Sequence, residues 1–307
     1  MAARSGHGHA VAGVKLNLPV YLNGQLLPRE QACLPITDRG LLFGDSVYEV
    51  IPVFSGAAFC LQQHLDRLQR SLDAIGLPNP LSRSAWLEAI ASLYQPGEAS
   101  DLAIYVQVTR GAYPTRAHRI PQETNPNVIA FASPLPARDP DSANRGLRAI
   151  TQADIRWHRC DIKSTNLLPN VLAQSEAQHQ QAEDVIFIRD GRAMEGTSSN
   201  LFIVLDGLLL TPPKSGEILP GITRELVLDL ARDAGIAHAE AAIDETELER
   251  AEEIWLTSST REIVSVVQLN GKPVGEGKPG PHWQRMDQLY QAAKERNRIK
   301  ALSGKVE

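Results

Sequence analysis

The hydrophobic pattern of the first half of the chain predicts short strands and amphipathic helices. The segment VYLNGQLL places Asn23-Gly24 between apolar residues, and VYEVIPVF is joined to AAFCL by Ser55-Gly56, so two β-hairpins are predicted. Apolar residues at 65, 68, 72 and 75 recur at three- and four-residue intervals, which indicates a helix that ends at Gly76. A second helix near 84–93 and strands at 102–108 and 128–131 follow.

A change of composition suggests where this first region ends. The stretch SPLPARDPDSANRG, residues 133–146, concentrates Pro, Asp, Ser and Gly without apolar periodicity, which is typical of a linker. We therefore place a domain boundary near residue 138. This gives a leader over 1–19, a smaller domain over 20–137 and a larger domain over 138–307.

The second half is richer in strands. The runs VIFI, LFIVL and LLLT are separated by turns at 189–191 and 206–207, which predicts an antiparallel meander. An apolar stripe at Leu167, Leu168, Val171 and Leu172 predicts a helix before the meander. Further helices are predicted over about 223–234 and 282–298, with strands at IWLTSST and VVQLNG between them.

Composition and charge exclude several classes of protein. Of the 307 residues 43% are hydrophobic and 22% are charged, as in globular domains, so a disordered or fibrous chain is excluded. With 31 basic and 36 acidic residues the net charge is −5, so no overall positive field favours nucleic acid or an anionic membrane. Three cysteines without Cys-x-x-Cys spacing argue against a disulfide framework and a cysteine metal site. We expect a cytoplasmic protein without a membrane span.

Four polar stretches are candidates for a site: DIKSTN at 161–166, EGTSSN at 195–200, PGITRE at 220–225 and LTSST at 256–260. Each has an ordinary structural role, since DIKSTN suits the cap of the following helix and Thr223 suits the cap of a helix that begins at Arg224. Together they suggest an anion site, because a helix N-terminus at Gly221-Ile222-Thr223 would offer unpaired N–H groups to a phosphate. A lysine beside such groups suggests covalent chemistry with a phosphorylated aldehyde, pyridoxal phosphate.

The motifs resemble one enzyme family. DIKSTNLLPNVLA, MEGTSSNLF, LPGITRELV and WLTSSTREI, with LLFGDSVYEV and HLDRL, are similar to the fold-type IV pyridoxal-phosphate aminotransferases, in order along the chain. The resemblance implies an α/β (α+β) fold with a smaller α+β N-terminal domain and a larger C-terminal domain that has a barrel-like sheet. It also implies pyridoxal 5'-phosphate between the domains, amino acids and 2-oxo acids as substrates, and a homodimer.

The same resemblance implies the roles of individual residues. Lys163 would bond the cofactor aldehyde and move a proton, and Glu195 would face the pyridine nitrogen. The cofactor phosphate would lie against Arg67, Ile222, Thr223, Ser258 and Ser259. Without the resemblance, Arg67 between Leu65 and Leu68 is expected to be a surface arginine that covers apolar neighbours.

Two further stretches are most similar to the D-amino-acid transaminases of this family. They are VTRGAYPTRAH at 108–118 and RWHRCDIKSTNLL at 156–168. In that subfamily Arg116 and His118, acting across the dimer interface, would join Tyr48 to hold the substrate carboxylate, and an arginine fork fixes its orientation. The loop before Arg116 carries one residue more than the subfamily spacing. Either the loop absorbs this residue, or the residue displaces Arg116 and His118.

The predicted reaction is transamination of D-alanine with 2-oxoglutarate to give pyruvate and D-glutamate. Within the family the alternatives are a branched-chain L-amino-acid aminotransferase, an aminodeoxychorismate lyase and an (R)-selective amine transaminase, which share residues of the Lys163 and Glu195 type. From another class, the chain could be a binding protein that keeps the fold without the cofactor. The presence of both Lys163 and Glu195 argues against this last alternative.

Overall fold

Two β-sheets follow one another along the chain. The computed structural model describes residues 18–94, 101–136, 138 and 145–302, with side chains to residue 299. The first sheet has the strand order β2-β1-β6-β5-β3-β4, and its neighbouring strands run antiparallel. Its strands are β1 (Val20–Leu22), β2 (Gln25–Leu27), β3 (Ser46–Phe54), β4 (Ala57–Ala58), β5 (Leu102–Thr109) and β6 (Asn127–Pro134).

Short helices cover this first sheet, and the local predictions for it are confirmed. A 3₁₀ turn (Arg29–Gln31) is followed by α1 (Arg39–Phe43), α2 (Leu61–Ala74) and α3 (Arg83–Ala91). Both predicted hairpins form, with left-handed backbone at Asn23-Gly24 and Ser55-Gly56. The predicted stripe of α2 is buried in the core through Leu65, Leu68 and Leu72.

The second sheet contains a closed ring. Its main path is β12-β11-β10-β14-β15-β7-β8-β9-β13, and β10 also pairs with β9 at Asn200 and Glu195. This pairing joins β10, β14, β15, β7, β8 and β9 into a barrel, which confirms the predicted barrel-like sheet. The strands are β7 (Leu147–Ala153), β8 (Asp184–Arg189), β9 (Arg192–Gly196), β10 (Asn200–Leu205), β11 (Leu208–Thr211), β12 (His238–Glu240), β13 (Ile243–Asp244), β14 (Glu253–Ser258), β15 (Glu262–Leu269) and β16 (Lys272–Pro273).

Four helices accompany the second sheet: α4 (Leu168–His179), α5 (Ile222–Asp233), α6 (Glu245–Arg250) and α7 (Pro281–Leu302). The helix predicted from the apolar stripe is present as α4, but its stripe faces outward. Leu168 and Val171 are 68% and 60% exposed, whereas Ala173 and Ala177 are buried. The small alanine side chains let α4 pack closely against β7 and β8.

The predicted domain boundary lies next to residues that are outside the described part of the chain. Residues 1–17, which make up most of the predicted leader, and residues 137 and 139–144 of the predicted linker are among these. The start of the predicted linker, Ser133 and Pro134, belongs to β6. The division into 20–137 and 138–307 stays a prediction.

The C-terminal helix joins the two sheets. Tyr290 of α7 contacts Phe59 with ring centroids 5.8 Å apart, and Asn297 Nδ2 donates to the carbonyl of Ala58 at 3.2 Å. The same helix shares a core with the second sheet through Trp255 and Trp283. No helix in the described part of the chain is long and apolar enough to cross a membrane.

Candidate active site

A cleft lies between the end of the barrel and strand β3. All the predicted site residues except Arg116 and His118 line it: Tyr48, Arg67, Lys163, Glu195, Ile222, Thr223, Ser258 and Ser259. These residues come from strand β3 and helix α2, from the loop after β7, from strand β9, from the first turn of α5, and from the end of β14 with the residue that follows it. The fold thus brings together the four polar stretches that are widely separated in the sequence.

Lys163 is fixed through its backbone against the first sheet. The N–H of Tyr48 donates to the carbonyl of Lys163 at 2.9 Å, and the N–H of Lys163 donates to Ser71 Oγ at 3.2 Å. Its Nζ lies 4.4 Å from the centre of the Tyr48 ring. The alternative role of this segment as a helix cap is wrong, because α4 has Leu167 at its N-cap and no side-chain cap. The segment instead presents an amine to the cleft.

Glu195 lines the cleft and is tightly held. Its Oε2 accepts hydrogen bonds from Asn200 Nδ2 and from the N–H of Leu219, both at 3.0 Å, and its Oε1 pairs with Arg156 Nη1. Burial raises the pKa of Glu195 above its ordinary value, although Arg156 opposes the shift. The anion at this position is therefore only partly compensated by the protein.

Arg156 is a cleft residue whose contacts sequence reasoning missed. Its Nε and Nη2 donate to Asp154 at 2.9 and 2.8 Å, so only Nη1 is left for Glu195. Its guanidinium also lies 4.5 Å from the centre of the Phe187 ring. Asp154 and Arg156 stand two residues apart directly after β7, which is the local signal that could have indicated a pair.

A second group of cleft residues, here called the cup, consists of Arg67, Gly221–Thr223 and Ser258–Thr260. Helix α5 begins at Ile222 with Gly221 at its N-cap and no side-chain cap, so its first N–H groups have no capping partner. The alternative that Thr223 caps this helix is wrong, since Thr223 lies within the first turn. A Cβ at Gly221 would come 1.8 Å from Asn200 Oδ1, so only glycine fits this close approach.

Arg67 is buried and held by an acid. It is 4% exposed, which overturns the alternative of a surface arginine. Its Nε and Nη2 donate to the two carboxylate oxygens of Glu49 at 2.7 and 2.8 Å, and its Nη1 donates to the carbonyl of Pro220 at 3.1 Å. His64 Nδ1 lies 2.7 Å from Glu49 Oε2. Although burial opposes ionisation of Glu49, Arg67 holds the pKa of that carboxyl well below its ordinary range.

Two buried hydroxyls that line the cleft have no hydrogen-bond partner in the described part of the chain. They are Ser199 Oγ and Thr257 Oγ1. Buried polar atoms without a partner are rare in folded proteins. The cleft therefore has polar groups to spare for a ligand, in addition to the cationic, hydroxyl-rich cup and the carboxylate of Glu195.

Arg116 and His118 lie outside this cleft on an exposed loop. The Arg116 guanidinium is 5.0 Å from the centre of the Phe43 ring, and the His118 ring centroid is 5.2 Å from it. Arg39 Nη1 donates to the carbonyl of Ala117 at 2.6 Å, which anchors the loop between them. The longer loop therefore keeps both side chains together on Phe43, and the structure does not bring them to the cleft of the same chain.

The sequence and the fold are similar to those of known aminotransferases. The family model of amino-transferase class IV matches residues 46–269. The chain is 39% identical to a D-alanine aminotransferase of Bacillus licheniformis, over 86% of this chain and 93% of the relative. It is 37% identical to a D-alanine aminotransferase of Listeria monocytogenes, over 89% and 95%.

Solved structures of aminotransferases have a similar fold. A branched-chain amino acid aminotransferase of Escherichia coli superposes with a TM-score of 0.82 at 26% identity, covering 90% of this chain and 94% of that one. The PLP-bound form of a hypothetical aminotransferase from Mycobacterium tuberculosis has a TM-score of 0.77 at 28% identity, covering 90% and 98%. The chain belongs to the class IV aminotransferases.

Proposed function

We propose that this aminotransferase is a pyridoxal-phosphate-dependent D-amino-acid transaminase, which converts D-alanine and 2-oxoglutarate into pyruvate and D-glutamate. The observation that carries the proposal is the convergence of Lys163, Glu195 and the cup in one cleft. The D-alanine aminotransferases among its relatives support the choice of substrate.

The residues that line the cleft suit both the phosphate and the ring nitrogen of the cofactor. Arg67, the first turn of α5 and the hydroxyls of Ser258 and Ser259 suit a phosphate dianion. Glu195 suits the N–H of a pyridinium ring, and the spare hydroxyls of Ser199 and Thr257 suit further polar atoms of a ligand. When bound, pyridoxal phosphate supplies an aldehyde that bonds amines and a ring that draws electrons from the substrate Cα.

Glu195 provides the electrostatic part of the reaction. Three donors fix both of its oxygens, so its carboxylate does not turn. Burial disfavours the anionic form of Glu195 and so raises its pKa. A cationic N–H close to the carboxylate stabilises the anion again. A carboxylate with this property keeps a pyridine nitrogen protonated.

Lys163 provides the proton transfer. Its backbone is fixed by Tyr48 and Ser71, so the amine reaches into the cleft from a rigid support. In its neutral form Nζ can attack an aldehyde carbon, and once displaced by substrate it can remove the proton from the substrate Cα. The side of the Cα that faces Nζ sets the preference for D- or L-amino acids.

The substrate carboxylate needs a cation from outside the cleft. Of the described residues that line it, the only arginines are Arg67, which is assigned to the phosphate, and Arg156, which is bonded to Asp154 and Glu195. We therefore infer that Arg116 and His118 of a second copy, with Tyr48, bind the carboxylate in a homodimer. The three free cysteines are in keeping with a cytoplasmic enzyme.

The experiment compares substrates of opposite hand. Purified protein with pyridoxal phosphate and 2-oxoglutarate is given D-alanine or L-leucine, and the 2-oxo acid formed is measured together with the configuration of the glutamate. We expect pyruvate and D-glutamate, with turnover of L-leucine lower by about 100-fold or more. The second candidate is a branched-chain aminotransferase, which the structural likeness to the Escherichia coli enzyme favours. Faster turnover of L-leucine with formation of L-glutamate would establish this second candidate instead.

A further inference from the structure

The hairpin that carries the cup hydroxyls is strained at its last residue. The turn between β14 and β15 runs from Ser258 to Glu262, and Ser258, Ser259 and Thr260 line the cleft. Glu262 has φ 61°, in the left-handed region that non-glycine residues avoid. Such a conformation persists only where surrounding contacts hold it. The contacts of Glu262 therefore decide the shape of the turn.

Helix α7 supplies two of these contacts, and Arg138 Nη1 lies 3.6 Å from Glu262 Oε2 as a third. Lys294 Nζ forms an ion pair with Glu262 Oε1, and Gln291 Nε2 donates to Glu262 Oε2 at 2.6 Å. The side chains of Lys294 and Glu262 are only 15% and 10% exposed, so water screens the pair weakly. Removing Glu262 from so buried a pair takes away the counter-charge of Lys294, whereas removing Lys294 leaves Glu262 with Arg138 as its remaining cation.

Lys294 also contacts the first sheet. Its Nζ lies 3.7 Å from the centre of the Phe54 ring at the end of β3. One turn earlier in α7, Tyr290 contacts Phe59. Lys294 thus lies where the hairpin, the C-terminal helix and the first sheet meet, and it links the position of the turn to the packing of both sheets.

The neighbouring residue fixes the other side of the turn. Arg261 pairs with Asp184 at the start of β8, and the N–H of Arg261 donates to Ser258 Oγ at 3.2 Å. Asp184 Oδ1 in turn accepts from Thr197 Oγ1 at 2.7 Å. With Arg261 held toward β8 and Glu262 held toward α7, the turn is tied on both sides.

We propose that Glu262 and Lys294 are positioning residues, which hold Ser258–Thr260 in the conformation that binds the phosphate end of the cofactor. The inference rests on the proposed cofactor. Neither side chain lines the cleft, so both act through the backbone of the turn. A binding loop already held in its bound shape loses less conformational freedom on binding, which strengthens affinity.

The test measures binding of pyridoxal phosphate and of pyridoxal, which lacks the phosphate, to cofactor-free protein. In Lys294→Met and in Glu262→Gln we expect the Kd for pyridoxal phosphate to rise about tenfold, while the Kd for pyridoxal changes less than about twofold. The double variant should be no weaker than either single variant, because both remove the same tie. Lys278→Met, which breaks the exposed pair with Glu276, is the matched control and should leave both constants unchanged.

A further variant separates positioning from stability. Glu262→Gly removes the tie and also the backbone strain, because glycine adopts a left-handed φ freely. The relief of strain offsets part of the lost ion pair, so the variant should still fold, and it should bind pyridoxal phosphate about tenfold more weakly. Hydrogen exchange at residues 258–262 of the cofactor-free chain should be faster in Lys294→Met.

The outcomes distinguish this inference from the proposed function. If the unchanged protein binds pyridoxal phosphate and all these variants bind it equally well, the positioning role is overturned and the cofactor stands. A parallel loss for pyridoxal and pyridoxal phosphate would also overturn the role, since it would show a general loss of structure. If the unchanged protein binds neither compound, the proposed cofactor and the inference fall together.

Discussion

Two buried glutamates near the cleft are each paired with an arginine, and they differ in their electrostatics. Glu49 does not line the cleft but pairs with Arg67 of the cup and has its pKa held low, whereas Glu195 lines the cleft and has its pKa raised. The difference lies in the arginines. Arg67 offers its Nε and Nη2 to Glu49, while Arg156 offers the same pair of atoms to Asp154 and only Nη1 to Glu195.

This contrast separates an acid whose charge is compensated within the protein from one to which the proposed function gives a role toward the cofactor. Glu49 also has His64 as a partner, so its charge is compensated within the protein. Glu195 receives two neutral donors and one shared cation, which leaves its charge available to a ligand. Buried carboxylates in one protein can therefore differ in their electrostatics, depending on which atoms of the neighbouring arginine they receive.

The largest expected effect comes from removing the amine of the cleft. Lys163→Ala should lower kcat for D-alanine by about 10⁴-fold or more, because both the covalent bond and the proton transfer are lost. Pyruvate formation under saturating pyridoxal phosphate measures the effect, with Lys278→Ala as a control at an exposed position. Substantial remaining transamination would show that Lys163 is not needed for the reaction.

Glu49→Gln tests whether the pair of Glu49 and Arg67 stabilises the fold. We expect the free energy of unfolding of the cofactor-free protein to fall by about 3 kcal/mol, because the buried Arg67 loses its counter-charge. Urea unfolding measures the change. Glu295→Gln, which breaks an exposed pair with Arg298 on α7, should cause no measurable loss. Equal effects in the two variants would show that Glu49 is no more important than a surface acid.

Glu195→Gln tests the proposed role of Glu195 toward the ring nitrogen of the cofactor. We expect kcat for D-alanine to fall about 10²- to 10³-fold, because an amide cannot keep a ring nitrogen protonated. Folding should be less affected than in Glu49→Gln, since Arg156 retains Asp154. Glu253→Gln replaces a buried acid that caps the start of α7 and lines no part of the cleft, so it should retain kcat. An unchanged kcat in Glu195→Gln would contradict the contrast.

The pH dependence of stability gives the smallest effect. The stability contribution of Glu195, whose pKa is raised, is present below its ordinary value of 4.5 and is lost as pH rises through the folded-state pKa. That of Glu49, whose pKa is lowered, is present above 4.5 and is lost as pH falls. Urea unfolding of cofactor-free protein at several pH values, compared with Glu195→Gln and Glu49→Gln, should show opposite trends. Parallel trends would show that the two acids are equivalent.

Local features of the sequence predicted most of the elements, because the signals act over a few residues. Turns such as Asn23-Gly24 adopt the left-handed backbone that their residues favour, and the periodic leucines of α2 pack as expected. Periodicity shows which residues share a face, but not which face packs. This is why the apolar stripe of α4 was predicted as a helix while its outward orientation was not.

Pairing between distant segments was beyond the sequence pattern. In β3 the alternating residues Val47, Glu49 and Ile51 are all fully buried, so the alternation itself marks Glu49 as an acid in a core position. Nothing local indicates that Arg67 and His64 of α2 surround it. The family resemblance predicted eight residues that line the cleft, but Arg116 and His118 do not reach it within one chain. The contacts of Arg156 and Glu262 required the fold.

The closure of the barrel has a mechanical consequence. Strand β10 is joined to β14 along its length, but it is joined to β9 by the single pair of Glu195 and Asn200. A ring with one short seam is expected to come apart there first when heated or pulled. Glu195 and Asn200, which form this pair, both line the cleft. A ligand that bonds to both strands there would hold the barrel closed. Whether the barrel opens as one sheet or frays strand by strand then depends on whether the cleft is filled.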